Sequence, residues 1–202
     1  MKQIAIYGGT FDPPHNGHIH LAIRIMKMKN LDQLIFIPAA KPPHKPDQPI
    51  SDFDDRYNML VLATEKFKNI SISKIEYERL PNSSFTFDTM NSLALLCPND
   101  ELSIIIGADS LAMIHTWYKC KELVKRWNFI TYPRAKVDIK IEILLKYWEK
   151  DLAVKLYNSL IDSPVYDISS TEIRQMIRNG DKKLSMIDEN VYNYIINNKL
   201  YS

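Results

Sequence analysis

Cysteine is scarce in this chain: Cys97 and Cys120 are its only two in 202 residues. Neither sits in a C-x-x-C pair or in a Cys/His zinc spacing, which speaks against a disulfide framework. Long apolar runs are missing as well. No stretch approaches the roughly 20 residues of a membrane span. The apolar run after Met1-Lys2-Gln3 reaches Gly8 within a few residues, too short for the apolar core of a signal peptide. The expected setting is a reduced, cytoplasmic compartment with no membrane. Charge of one sign is also lacking: 26 basic against 24 acidic residues leave a net +2, too little to imply a nucleic-acid partner. The glycines after the first apolar run read G-G-T-F-D, so the G-x-G-x-x-G fingerprint of dinucleotide oxidoreductases is absent.

What remains is an ordinary globular composition, 46% apolar and 25% charged, in a chain long enough for one sizeable domain. No linker, repeat or low-complexity segment divides it, so residues 1–202 are expected to form a single domain. Apolar runs of strand length alternate with helical stripes. KQIAIYGG, DQLIFIPAA, NISISKIEYERL, ELSIIIGAD, NFITYPR and PVYDIS predict strands. Helices are predicted over about 17–29, over SDFDDRYNMLVLATEKF, after SFTFDT, over SLAMIHTWYKCKELVKRW, over 136–160, over STEIRQMIRNG and over about 187–198. Such alternation implies an α/β fold, a Rossmann-like, doubly wound parallel sheet with helices on both faces. The C-terminal helices, from about residue 169, are expected to pack on it. Ligands of such sheets bind at the carboxyl ends of the strands, where the strand order reverses.

The residues with special chemistry follow those strand ends. In YGGTFDPPHNGHIH (Tyr7–His20), Gly8 and Gly9 let a ligand approach the backbone. The helix that starts within PPHNGH offers free amides and a favourable field to an anion. His15 and His18 are one helical turn apart and can donate to phosphate oxygens, and Thr10 adds a hydroxyl. A metal site is the rival reading of the three histidines. No Asp, Glu or Cys nearby completes a ligand spacing, and His20 points away from His18. In DISSTEIR, Ser169–Glu172 has the form of a capping box, and Ser170, Thr171 and Arg174 can meet an anion at the same helix start. Two anion seats facing one crevice suit a polyphosphate.

GGTFDPPHNGH with ISSTEIR resembles the nucleotidyltransferase superfamily that carries the H-x-G-H motif, here His15-Asn16-Gly17-His18. PAAKPPHK (Pro38–Lys45), SFTFDT (Ser84–Thr89) and IIGADSLAMIHTWYKCKEL are similar to segments of bacterial nicotinate-nucleotide adenylyltransferases. Asn16 fills a variable position of the motif, and Phe85 stands where Tyr is commoner. Residues 135–163 match no motif. The resemblance implies adenylyl transfer from ATP to nicotinate mononucleotide, with magnesium carried on the phosphates and no covalent enzyme intermediate. It implies that His15, His18, Lys45 and Arg174 serve catalysis. Gly8, Gly9, Thr10, Phe11, His18, Gly107, Asp109, Ser170, Thr171 and Arg174 would bind ATP, with Asp109 on ribose hydroxyls. Thr10, His15, Lys45, Thr86, Trp117 and Tyr118 would bind the mononucleotide, with Trp117 stacked on its pyridine ring. An indole suits a flat cation. Relatives that use pantetheine phosphate or a sugar or polyol phosphate, and a sensor that has lost catalysis, are the rival functions. No role is expected for His44 or His115. A homo-oligomer is compatible with the sequence, which does not set the subunit number.

Overall fold

The computed structural model describes residues 1–41, 50–181 and 185–202. Five strands form one sheet: β1 (Gln3–Gly9), β2 (Gln33–Pro38), β3 (Ile70–Ile72), β4 (Glu101–Gly107) and β5 (Asn128–Tyr132). Their order is β3-β2-β1-β4-β5 and every pairing is parallel. Successive side chains of a strand point to opposite faces, and here both faces are covered. Ile4 and Ile6 of β1 join Ile35, Ile37, Ile104 and Ile106 on one face, while Ala5 and Tyr7 join Leu34, Phe36, Ile105 and Ile130 on the other.

The first face is packed by α3 (Thr86–Leu96), α4 (Ala108–Met113), α5 (Cys120–Arg126), α6 (Ile141–Leu144) and α7 (Lys150–Tyr157). The second is packed by α1 (Asn16–Met28), α2 (Phe53–Thr64), α8 (Ser170–Arg178) and α9 (Glu189–Asn197). The sheet is therefore doubly wound as expected. The chain leaves β1 and β4, which are neighbours, toward opposite faces, so the switch point lies between their carboxyl ends.

Four predicted elements differ from what forms. NISISKIEYERL holds only the three residues of edge strand β3; Ile75 and Glu76 turn inward, and a 3-10 turn follows at Tyr77–Arg79. PVYDIS is not a strand, because β5 already takes a bridge from the preceding segment: Thr131 N–H donates to Ser159 C=O at 2.8 Å, and Ile161 N–H to Thr131 C=O at 2.9 Å. The alternation of PVYDIS reflects an extended chain with Tyr166 and Ile168 packed against the second face. The helix predicted over 136–160 is two short ones, α6 and α7, with Leu144 and Trp148 turned into the core. SLAMIHTWYKCKELVKRW is broken into α4, a 3-10 turn at Ile114–Thr116, and α5. The break centres on Trp117, which is extended (φ −74°, ψ 149°), and on Lys119, which is left-handed at φ 49°.

Candidate active site

A cleft of about 560 Å³ opens at the carboxyl ends of β1 and β4. Its first wall is the loop after β1. Gly8 has open space where a Cβ would project, so a side chain there would enter the cleft. Gly9 is constrained otherwise: a Cβ would come within 2.8 Å of the Phe11 ring. Its smallness seats the Phe11 ring, and both residues line the cleft. Phe11 itself is buried at 3% exposure and stands edge-on to His18, ring centroids 5.1 Å apart.

His15 caps α1 and His18 lies three residues later; their rings stack at 3.6 Å. The His15 backbone N–H donates to His18 Nδ1 at 3.3 Å. That bond makes Nδ1 an acceptor, so the proton of neutral His18 sits on Nε2. His15 is 6% exposed and its Nδ1 has no hydrogen-bond partner among the described residues. Burial and then the positive charge of Arg134 pull the His15 pKa down to about 4. Burial, then His15, then Arg134 pull His18 well below the usual imidazole range. Both rings are neutral at pH 7, each with one N–H to offer. The start of α1 gives a ligand fewer amides than the sequence implies. Asn16 N–H is taken by Met186 C=O at 2.8 Å and His18 N–H by His15 C=O at 2.9 Å.

The second wall is the start of α8. Ser169 caps the helix by accepting from Thr171 N–H at 3.2 Å, without the reciprocal Glu172 bond of a capping box among the described residues. Ser170 donates its hydroxyl to Pro13 C=O at 2.8 Å, so it retains only acceptor capacity toward a ligand. Arg174 lies one turn into the helix, its Nη1 on Asp12 C=O at 2.7 Å and its Nη2 on Thr171 Oγ1 at 3.3 Å. The two anion seats expected from the sequence are thus joined to each other through Asp12 and Pro13.

At the β4 end, a Cβ on Gly107 would collide with Asp109 Oδ1 and come within 3.1 Å of Arg134 Nε. Only glycine lets that pair close, at 3.6 Å between Arg134 Nε and Asp109 Oδ1. Thr10, Thr86, Ser170, Thr171 and Trp117 also line the cleft. Tyr118 does not. Beside the left-handed turn at Lys119, its ring packs on Phe85, 4.7 Å between centroids. Lys45 and His44, with the rest of Pro42–Lys45, lie outside the described residues. Both flanks of that segment are tied to the cleft. Ser84 accepts from Ala40 N–H and Lys41 N–H at 3.1 and 3.0 Å, and Ser51 N–H donates to Asp12 Oδ2 at 3.3 Å. His20 is exposed and outside the lining.

Three groups at the site were not picked out by the sequence reading. Arg134 follows β5 and stands over the Tyr132 ring at 5.0 Å. Its signal was available: a cation just past the end of a parallel strand. Tyr7 and Tyr132 share a hydroxyl contact of 3.3 Å beneath the histidines, with no sequence signal beyond their strands. Arg56, 2% exposed, donates to the carbonyls of Thr10, Ala39 and Ser51 at 2.8–2.9 Å. Its mark is an arginine on the buried stripe Phe53, Arg56, Leu60, Ala63 of α2.

Residues 6–176 match the Cytidylyltransferase-like family. The curated "Nicotinate-nucleotide adenylyltransferase" of Bacillus subtilis is 35% identical over 100% of this chain and 99% of its own. A relative from Carboxydothermus hydrogenoformans, named "Probable nicotinate-nucleotide adenylyltransferase", is 40% identical over 98% of each chain. This chain belongs to the nicotinate-nucleotide adenylyltransferase family. Among solved structures, Plasmodium falciparum nicotinic acid mononucleotide adenylyltransferase complexed with NaAD superposes with a TM-score of 0.78, covering 100% of this chain and 98% of that one. At 24% identity that likeness speaks for the fold. Within the family frame, the cleft is the place where two phosphate-bearing substrates can meet.

Proposed function

We propose that this adenylyltransferase joins ATP to nicotinate mononucleotide, giving nicotinate adenine dinucleotide and pyrophosphate, as a step of NAD biosynthesis. The observation that carries the reading is the convergence of His15, His18 and the Ser170–Arg174 helix start on one cleft, in a chain that aligns end to end with relatives of that name. The chemistry needs no enzyme nucleophile. A 5′-phosphate oxygen of the mononucleotide attacks the α-phosphorus in line, and the bond to the β-phosphate oxygen breaks. His18, with its proton on Nε2, and His15 donate to oxygens on which charge builds. Arg174 and the α8 start hold the β and γ phosphates. Lys45, outside the described residues, is assigned the attacking and α phosphates by family resemblance alone. Gly8–Phe11 and Gly107 admit the nucleotide, and Asp109 takes ribose hydroxyls. Trp117 stacks on the pyridine ring, Thr86 frames its carboxylate, and Tyr118 holds the Trp117 turn against Phe85.

Magnesium is read as arriving on ATP. The cleft offers imidazoles, hydroxyls and arginines at its phosphate end, which suit phosphate oxygens rather than a cation. Among the described residues no three of His, Cys, Asp and Glu are grouped to hold a metal. We read residues 1–202 as one nucleotidyltransferase domain working in the cytoplasm. Among the described residues no helix is long and apolar enough to cross a membrane.

The test is pyrophosphate release from ATP with an acceptor panel. Nicotinate mononucleotide is expected to support turnover and nicotinamide mononucleotide to support less. Release only with pantetheine phosphate or a polyol phosphate would move the chain to another acceptor. No release with any acceptor would favour a nucleotide-binding sensor.

A further inference from the structure

We propose that Tyr201, at the far end of the sequence from the phosphate loop, is a positioning residue for the β,γ-phosphate seat. It acts through Asp12 on Arg174. The proposal rests on the reading that Arg174 grips those phosphates. Asp12 is 4% exposed and each of its polar ends is committed to a different segment. Oδ1 accepts the Tyr201 hydroxyl at 2.6 Å, Oδ2 accepts Ser51 N–H at 3.3 Å, and its carbonyl accepts Arg174 Nη1 at 2.7 Å. Ser170 is tied to the next carbonyl, that of Pro13. The position of the Asp12–Pro13 backbone therefore sets where α8 presents its arginine.

Two of the five N–H groups of Arg174 are used in these contacts, on Asp12 and Thr171, which leaves three for a ligand. A long side chain anchored this way loses less freedom on meeting a phosphate than a free one. The Asp12 carboxylate is the weak point of the arrangement. Its bond to Ser51 is long, so the short bond from Tyr201 is the main restraint on it. Tyr201 is itself held: Leu200 N–H donates to Ile195 C=O at 3.0 Å beyond α9, and Tyr201 packs against the second face of the sheet. Burial, the Asp12 charge and the hydrogen bond to Asp12 push the phenol pKa well up, so the hydroxyl remains a donor across the working pH range.

Tyr201→Phe keeps the packed ring and removes the donor. The expected result is a KM for ATP raised about five- to tenfold, the size of one ordinary net hydrogen bond. The KM for nicotinate mononucleotide should stay near wild type, while the melting temperature falls by a few degrees because the buried Asp12 carboxylate loses a partner. In an Arg174→Ala background, adding Tyr201→Phe should change the ATP KM less than twofold, because the two act as one unit. Arg174→Ala impaired for ATP with Tyr201→Phe unimpaired overturns the proposal alone. The two effects multiplying in full, or both KM values rising by the same factor, overturn it too. Arg174→Ala with a wild-type KM for ATP overturns the phosphate-grip reading, and the proposal with it.

Discussion

His15 and His18 are the residues on which the chemistry turns, and their environment has a measurable consequence. An unfolded imidazole takes a proton near pH 6.5, whereas folded His15 does so only near pH 4. Between those values the unfolded chain binds more protons, so stability rises with pH across that window and falls on acidification through it. His15 alone contributes up to about 3 kcal/mol to that loss. His18 shifts in the same direction. Lowering the pH from 7 to 5 is expected to reduce the melting temperature, and His15→Asn to reduce it less. An identical pH response in the variant would contradict the buried, neutral assignment. At this scale much was legible: a His-x-x-His pair after a glycine turn could be placed on one face from spacing alone. What spacing could not show was the tautomer, because it depends on the His15 amide. Nor could it show that Ser170 spends its proton on Pro13, 157 residues away.

Among the elements, α2 does more for the site than its stripe implied. Arg56 projects from it into the floor, where it gathers the carbonyls that end β1 and β2 and the residue that precedes the helix. Asp12, Asp52 and Glu76 offset its charge. Arg56→Met would leave three carbonyls without that donor and the acids without their cation. A loss of about 3 kcal/mol in denaturant unfolding is expected. A loss under about 1 kcal/mol would mean that water replaces the guanidinium. The broken segment from α4 to α5 shows why helical periodicity misled. Apolar residues at helical spacing there serve two short helices, while the left-handed Lys119 turns Trp117 to the cleft and Tyr118 to Phe85. His115, which had no assignable role, stacks at 3.7 Å and 6° on Tyr147, from the segment that matches no motif. That segment thus buttresses the turn carrying Trp117. Neither partner announces the pairing in sequence, because it is a contact between two irregular stretches.

For the whole molecule, alternation of strand and helix was enough to expect a doubly wound parallel sheet, since short crossovers leave few other arrangements. The strand order was not legible, and it is what makes the site: only with β1 beside β4 do the loop of His15 and the loop of Asp109 share a crevice. Long-range ties such as Tyr201 to Asp12 and Arg174 to Asp12 then close it, across 189 and 162 residues. This closed cleft is expected to accelerate adenylyl transfer by holding phosphates in place. The most direct measurement is the turnover of His18→Ala, read as pyrophosphate release from ATP and nicotinate mononucleotide beside a melting curve. A kcat lowered by about two to three orders of magnitude with an intact melting transition is predicted. Turnover near wild type in that folded variant would contradict it.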